Sequence, residues 1–151
     1  MPIGDGHIKQ EIWSQKVRYA IRTLIILALR GDEPVSVREV AREHLIPRKY
    51  LETIMTDLRR AGFVGSSRGK SGGYRLTGDP ATIRIADVLQ ALEPGWHVSP
   101  DPLASQRPDP LPEEPVLHYL GKRVQEELAL VTIADAAMRW QRERHALTYS
   151  I

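Results

Sequence analysis

No cysteine occurs among the 151 residues. That excludes disulfides, thiolate zinc sites, cysteine-ligated iron–sulfur clusters and any thiol nucleophile. There is one Phe, and aromatics make up 6% of the chain, too few for an aromatic-rich β-sandwich core. The longest apolar run, Leu24–Leu29, is far short of the ~20 residues that cross a bilayer. Residues 1–10 lack the basic-then-apolar order of a secretory leader. These absences lead us to expect a cytoplasmic protein with no membrane contact. The rest of the composition is globular, 42% hydrophobic and 26% charged, and long enough for one domain that buries roughly two-thirds of its unfolded surface.

Catalytic groupings are also missing. The five histidines, at 7, 44, 97, 118 and 145, are scattered without metal-ligand spacing. Glu113-Glu114 and Glu126-Glu127 are most simply solvated helix charges. An enzyme is therefore not expected.

Charge, by contrast, is unevenly placed. Residues 1–80 hold 14 Lys/Arg against 9 Asp/Glu, whereas residues 81–151 hold 7 against 10. Between Arg48 and Arg75 stand seven cations and two anions, the footprint of a face that attracts polyanions.

Apolar periodicity divides the chain into elements. Val17, Ala20, Ile21, Leu24, Ile25 and Ala28 form a core stripe of a helix ending near Arg30-Gly31. Ser36 and Glu39 have capping-box spacing and open a short helix that runs to His44. Pro47 suits the first position of a third helix that reaches Ala61 before Gly62, with Leu51, Ile54, Met55 and Leu58 on one face. The period then changes. Phe63–Ser67 and Tyr74–Thr77 read as strands joined by a glycine-rich tip. Asp79-Pro80 is a turn, and Ile85, Val88, Leu89 and Leu92 mark a fourth helix. Seven of the residues from Pro94 to Pro115 are proline, so an irregular connection is expected there. Val116, Leu120, Val124, Leu128 and Val131 then make a helical stripe, and Thr132 with Asp135 can cap a last helix carrying Ala134, Ala137, Met138 and Trp140.

The resulting reading is a mainly α chain. Residues 1–12 are an N-terminal extension, and 13–93 a winged helix-turn-helix domain with a two-stranded wing. Residues 94–115 form a Pro-rich variable loop, and 116–147 the dimerisation and C-terminal helices.

In a winged helix the third helix buries one face and offers the other to the DNA major groove. Here the free face carries Arg48, Lys49, Glu52, Thr53, Thr56, Arg59 and Arg60, with Tyr50 expected at the edge between domain and DNA. Arg48 and Lys49, at the helix start, are placed for base edges. On the wing, Arg68, Gly69, Lys70 and Ser71 combine charge with a small backbone that can approach phosphates or a narrow minor groove. A phosphate-binding P-loop at Gly69-Lys70-Ser71 is rejected, because Val64 stands where its first glycine should be and a strand follows rather than a helix.

Five blocks extend this reading: Lys16 to Arg22 (KVRYAIR), Ile46 to Glu52 (IPRKYLE), Leu58 to Val64 (LRRAGFV), Arg68 to Leu76 (RGKSGGYRL) and Ala86 to Glu93 (ADVLQALE). In order and spacing they resemble the Rrf2 family of bacterial transcription regulators, of the IscR, NsrR and CymR kind. The match runs from about Trp13 to Glu93, with Val131 to Asp135 resembling a C-terminal family element. The resemblance implies a homodimer formed through a long helix near 116–130, with two recognition helices reading a pseudo-palindromic promoter site. It assigns groove contact to Arg48, Lys49, Tyr50 and Glu52, and minor-groove or backbone contact to Arg68 and its glycine neighbours.

The chain departs from the family at the cluster. Many members hold an iron–sulfur cluster on three cysteines, positions that fall here near Leu103, Asp109 and Pro115. Where some members draw a further ligand from the first helix, this chain has Arg18 and Arg22. We therefore expect no metal site and no cofactor. Trp96, His97 and His118 are candidates to line a pocket for a small effector, a metal or haem being the lesser options, and a protein effector is an equal alternative. The expectation is a homodimeric regulator that acts as a repressor on double-stranded promoter DNA. The alternative is a winged-helix module that docks a protein partner.

Overall fold

Three helices build the centre of the molecule. α1 (Gln15–Arg30) is opened by Ser14, whose hydroxyl accepts from the Val17 N–H at 3.2 Å, and closed by Gly31 at φ 63°. α2 (Val37–Glu43) is capped by Ser36, which accepts from the Glu39 N–H at 3.0 Å. The Glu39 carboxylate pairs with Arg30 at 2.9 Å, so it ties α2 back to α1. α3 (Arg48–Arg60) has Ala61 as its C-cap, followed by Gly62 at φ 87°. Pro47 is its N-cap, one position earlier than the spacing predicts. The computed structural model describes residues 13–68, 72–96, 108–109 and 111–149. The extension 1–12, Gly69, Lys70, Ser71 and His97 lie outside the described residues.

The core joins Leu24 and Leu27 of α1, Leu51, Ile54 and Leu58 of α3, and Val88 of α4 (Ile85–Leu92), all essentially sealed from solvent. Rotation of α1 relative to the expected stripe brings Thr23 and Leu27 inward and leaves Ile21 and Ile25 half-buried. Thr23 is accommodated because its hydroxyl donates to the Tyr19 carbonyl at 2.8 Å.

The wing is an antiparallel pair, β1 (Val64–Ser67) and β2 (Gly73–Leu76), in register from Val64 opposite Leu76 to Ser67 opposite Gly73. Each strand starts or stops one residue away from the expected bounds. A third element joins it: the Val35 N–H donates to the Tyr74 carbonyl at 2.9 Å, and the Tyr74 N–H to the Val35 carbonyl at 2.8 Å. A short 3-10 turn, Pro80–Thr82, leads into α4.

α5 (Glu114–Leu130) begins two residues inside the stretch expected to be irregular, and α6 (Ile133–Tyr149) runs two residues past 147. The capping of α6 is reciprocal. The Asp135 carboxylate accepts from the N–H and hydroxyl of Thr132, each at 2.9 Å, and the Thr132 hydroxyl accepts from the Asp135 N–H at 3.1 Å. Ile85 N–H to Val131 O and Ile133 N–H to Ile83 O fasten this junction to the winged-helix domain. Of the expected α5 stripe only Leu128 is buried, with Val131 half-buried. Val116, Leu120 and Val124 face outward, as do Met138 and Trp140 of α6. No described helix is long and apolar enough to cross a membrane.

Candidate nucleic-acid interface

α3 separates its two faces cleanly. Leu51, Ile54, Met55 and Leu58 are buried, while Arg48, Lys49, Glu52, Thr53, Thr56, Arg59 and Arg60 are all exposed. The helix therefore cannot turn without exposing its apolar stripe, and the polar row has a fixed outlook. Tyr50 lies between the two faces. Its ring meets Tyr19 of α1 edge-on, centroids 5.7 Å apart, so its aromatic body packs α3 onto α1. Arg22 lies over Tyr19 at 5.4 Å and donates to the His44 carbonyl at 3.0 Å, which braces the end of α2 as well.

The charges of α3 are not equally available. Arg48 Nε donates to Glu52 Oε1 at 2.9 Å. Arg60 is 3.6 Å from Asp57, which also binds Lys16 of α1 at 2.9 Å. Lys49 and Arg59 make no ion pair with any other described residue. The hydroxyls of Thr53 and Thr56 turn back onto the carbonyls of Lys49 and Glu52.

On the wing, Arg68 is exposed immediately after β1. Arg75 is exposed on β2 opposite Gly65. Sequence reading counted Arg75 in the basic run but gave it no role, although strand alternation places it outward while Tyr74 packs against the core. Gly73 is where the wing meets the domain: a Cβ there would stand 2.7 Å from the Val35 carbonyl oxygen.

Of the three expected effector residues His97 lies outside the described residues, and the other two line no common cleft. Trp96 is half-buried and stacks on Trp13, ring centroids 5.8 Å apart and planes 11° from parallel. His118 is exposed on α5. A cleft of about 1000 Å³ lies instead between α1, α5 and α6, with Ile21, Ile25, Val124 and Trp140 as apolar walls and Arg18 and Arg123 at its border; neither Trp96 nor His118 lines it. The aromatic partner of Trp96 is thus Trp13, at the opposite end of the domain sequence.

The residues do not fit a family-type iron–sulfur cluster. There is no thiolate anywhere in the sequence. Asp109 and Pro115 are exposed at two of the three corresponding positions, and Leu103 lies outside the described residues. Arg18 and Arg22 put cations on α1 where a ligand is drawn in some members. Among the described residues no group of three His, Asp or Glu converges to hold a metal ion.

Comparison with known proteins agrees with this architecture. The family model Rrf2, iron-dependent transcriptional regulator, matches residues 13–139. CymR of Bacillus subtilis is 33% identical over 143 residues, covering 91% of this chain and 98% of that protein. Its solved structure, the global cysteine regulator, superposes with a TM-score of 0.72 at 32% identity, covering 84% of this chain and 96% of CymR. IscR of T. potens gives 0.70 at 30% identity, over 84% of this chain and 86% of its own. IscR of Cereibacter sphaeroides is 42% identical over 83 residues, 53% of this chain and 54% of that protein. Against several curated relatives of this kind the chain spans about half their length. These relatives are transcriptional regulators rather than enzymes, and the winged-helix chain described above belongs to the Rrf2 family.

Proposed function

We propose that the protein is a homodimeric, sequence-specific DNA-binding regulator that works in the cytoplasm and represses by occluding promoters. One observation carries this reading. A helix sealed on one side into the core shows seven polar or charged side chains to solvent on the other, and a wing bearing Arg68 and Arg75 follows it directly. In this reading Arg48, Lys49, Glu52 and Thr53 enter the major groove, with Arg48 and Lys49 at base edges. Arg59, Arg60, Arg68, Gly69, Lys70 and Ser71 approach the sugar–phosphate backbone, and Tyr50 keeps α3 seated on α1.

Support for the dimer comes from α5. Val116, Leu117, Leu120 and Val124 are exposed along its length, an apolar face that a lone molecule would leave in water. The signal does not run through a cysteine-ligated cluster, because the ligand chemistry is absent from the chain. The iron dependence in the family's description is therefore not carried over to this chain.

The test is selection of genomic fragments by the purified protein, with affinity then measured across salt. The expected result is a two-fold symmetric motif near promoters. Affinity should fall steeply with salt, by ~0.9 log units per log salt for each phosphate neutralised. Recovery of no motif, with partner capture persisting at high salt, would replace this reading with that of a protein-docking module.

A further inference from the structure

The first turn of α3 is built against the preferences of an isolated helix. Its N-cap is Pro47, which offers no side-chain acceptor, and no acid stands in the first turn. Two cations, Arg48 and Lys49, occupy it instead, at the end of the helix dipole that favours anions. The acid that answers them is Glu52, one turn on, whose Oε1 accepts from Arg48 Nε at 2.9 Å. Arg followed by Glu four residues later is the weaker order for such a pair. The two side chains are 62% and 50% exposed, where an ion pair adds little to stability. Local rules broken without a gain in stability collect at functional positions.

Geometry says what the pair is suited to. A guanidinium carries five N–H donors in one plane. Once Nε–H is given to Glu52, the four donors on the two terminal nitrogens remain, and these form the fork that meets guanine O6 and N7. Holding Nε also removes much of the rotamer freedom that a long side chain would lose on docking.

We propose that Arg48 and Glu52 act as one unit, in which Glu52 positions the Arg48 guanidinium so that its terminal nitrogens read a guanine in each half-site. The proposal rests on the reading that α3 enters the major groove. Within it Glu52 is a positioning residue, not itself a reader of bases. Its negative charge has a second effect: it repels phosphates and so weakens binding to unrelated DNA.

The test is selection from randomised duplexes by the full-length protein, followed by affinities on the selected and a scrambled site. Arg48→Ala should erase one guanine preference per half-site, about ten- to a hundred-fold in discrimination. Glu52→Ala should lose most of the same preference while binding scrambled DNA more tightly, a combination that a merely structural role would not give. Glu52→Gln should keep the preference, because its amide oxygen still accepts from Nε. Arg48→Ala with Glu52→Ala should match Arg48→Ala alone in base preference. If Glu52→Ala shifts base preference even in the Arg48→Ala background, Glu52 reads DNA independently and the proposal fails. A uniform loss on all sequences from Arg48→Ala would make Arg48 a phosphate contact and overturn it equally. Lys49→Ala separates this inference from its parent. Weaker binding from Lys49→Ala beside unchanged base preference in the Arg48 and Glu52 variants sinks the pair alone. Unchanged affinity in both Lys49→Ala and Arg48→Ala means that α3 does not enter the groove, and the functional reading falls with it.

Discussion

Leu45, in the turn between α2 and α3, has φ 54° and is 86% exposed. Left-handed backbone costs a side-chain-bearing residue about 1–2 kcal/mol, and an exposed leucine recovers nothing by burial. The conformation is imposed by its surroundings: the Ile46 N–H reaches back to the Ala41 carbonyl at 3.0 Å, and α3 starts two residues later. Leu45→Gly relieves the strain and should raise the melting temperature by roughly 2–4 °C, discounted in part by the looser unfolded chain. An unchanged or lower melting temperature would mean that the leucine side chain contributes to stability in a way its exposure does not suggest. Asp135 gives a pH prediction at the same scale. Hydrogen bonds from the Thr132 backbone and then from its side chain, aided by Arg139, hold its carboxyl below the ordinary value of 3.8. A depressed carboxylate contributes stability that is fully present above its unfolded pKa and is lost as pH falls through the folded one. The stability difference between wild type and Asp135→Asn should therefore be present at neutral pH and shrink in acid. Urea unfolding at several pH values reads it, and a pH-independent difference would contradict the assigned cause.

At the scale of elements, the helices were legible where local chemistry decides them. Ser36 with Glu39, Thr132 with Asp135, and the glycines at 31 and 62 each mark a boundary through a hydrogen bond or a positive φ that any context would respect. The start of α5 was hidden because proline density resembles an irregular segment. Pro115 in fact sits in the first turn, where its missing N–H is no loss. Nor was the Val35–Tyr74 bridge readable. It depends on how close the wing comes to the domain, which no periodicity encodes, and only the paired glycines 72 and 73 hint at it. The polar row of α3 was readable from spacing, whereas the Trp13–Trp96 stack, which joins residues far apart in the chain, was not. Gly73 tests the wing's attachment. An alanine Cβ would meet three backbone atoms of Val35 at 2.7 to 3.0 Å, and backbone cannot step aside as a flexible side chain can. Gly73→Ala should cost about 1–3 kcal/mol by overpacking and weaken DNA binding as the wing shifts. Gly78→Ala, with nothing within 4 Å, serves as the neutral control. Equal effects from the two in thermal unfolding would show that the close approach is not what fixes the wing.

Across the whole molecule, charge and apolar exposure are partitioned. Cations outnumber acids in residues 1–80, which hold α3 and the wing, and acids outnumber cations in 81–151, which hold the outward stripe of α5. Such a layout suits two copies joined through their C-terminal helices with their basic faces turned to one duplex. In that dimer, binding one half-site raises the effective concentration of the second reading head, a gain of about 10²–10⁴ without any new contact. Leu117→Asp combined with Leu120→Asp places two charges on the exposed stripe, outside the buried core. The variant should remain folded and sediment as a monomer. Its affinity for a complete symmetric site should drop by about that same factor, while its affinity for an isolated half-site stays at the wild-type value. The dependence on salt should change in step, since one basic face releases about half the counterions that two release. A variant that remains dimeric would move the interface off this stripe. A wild type that is itself monomeric while binding the full site with the full salt slope would remove the dimer from the proposed function altogether.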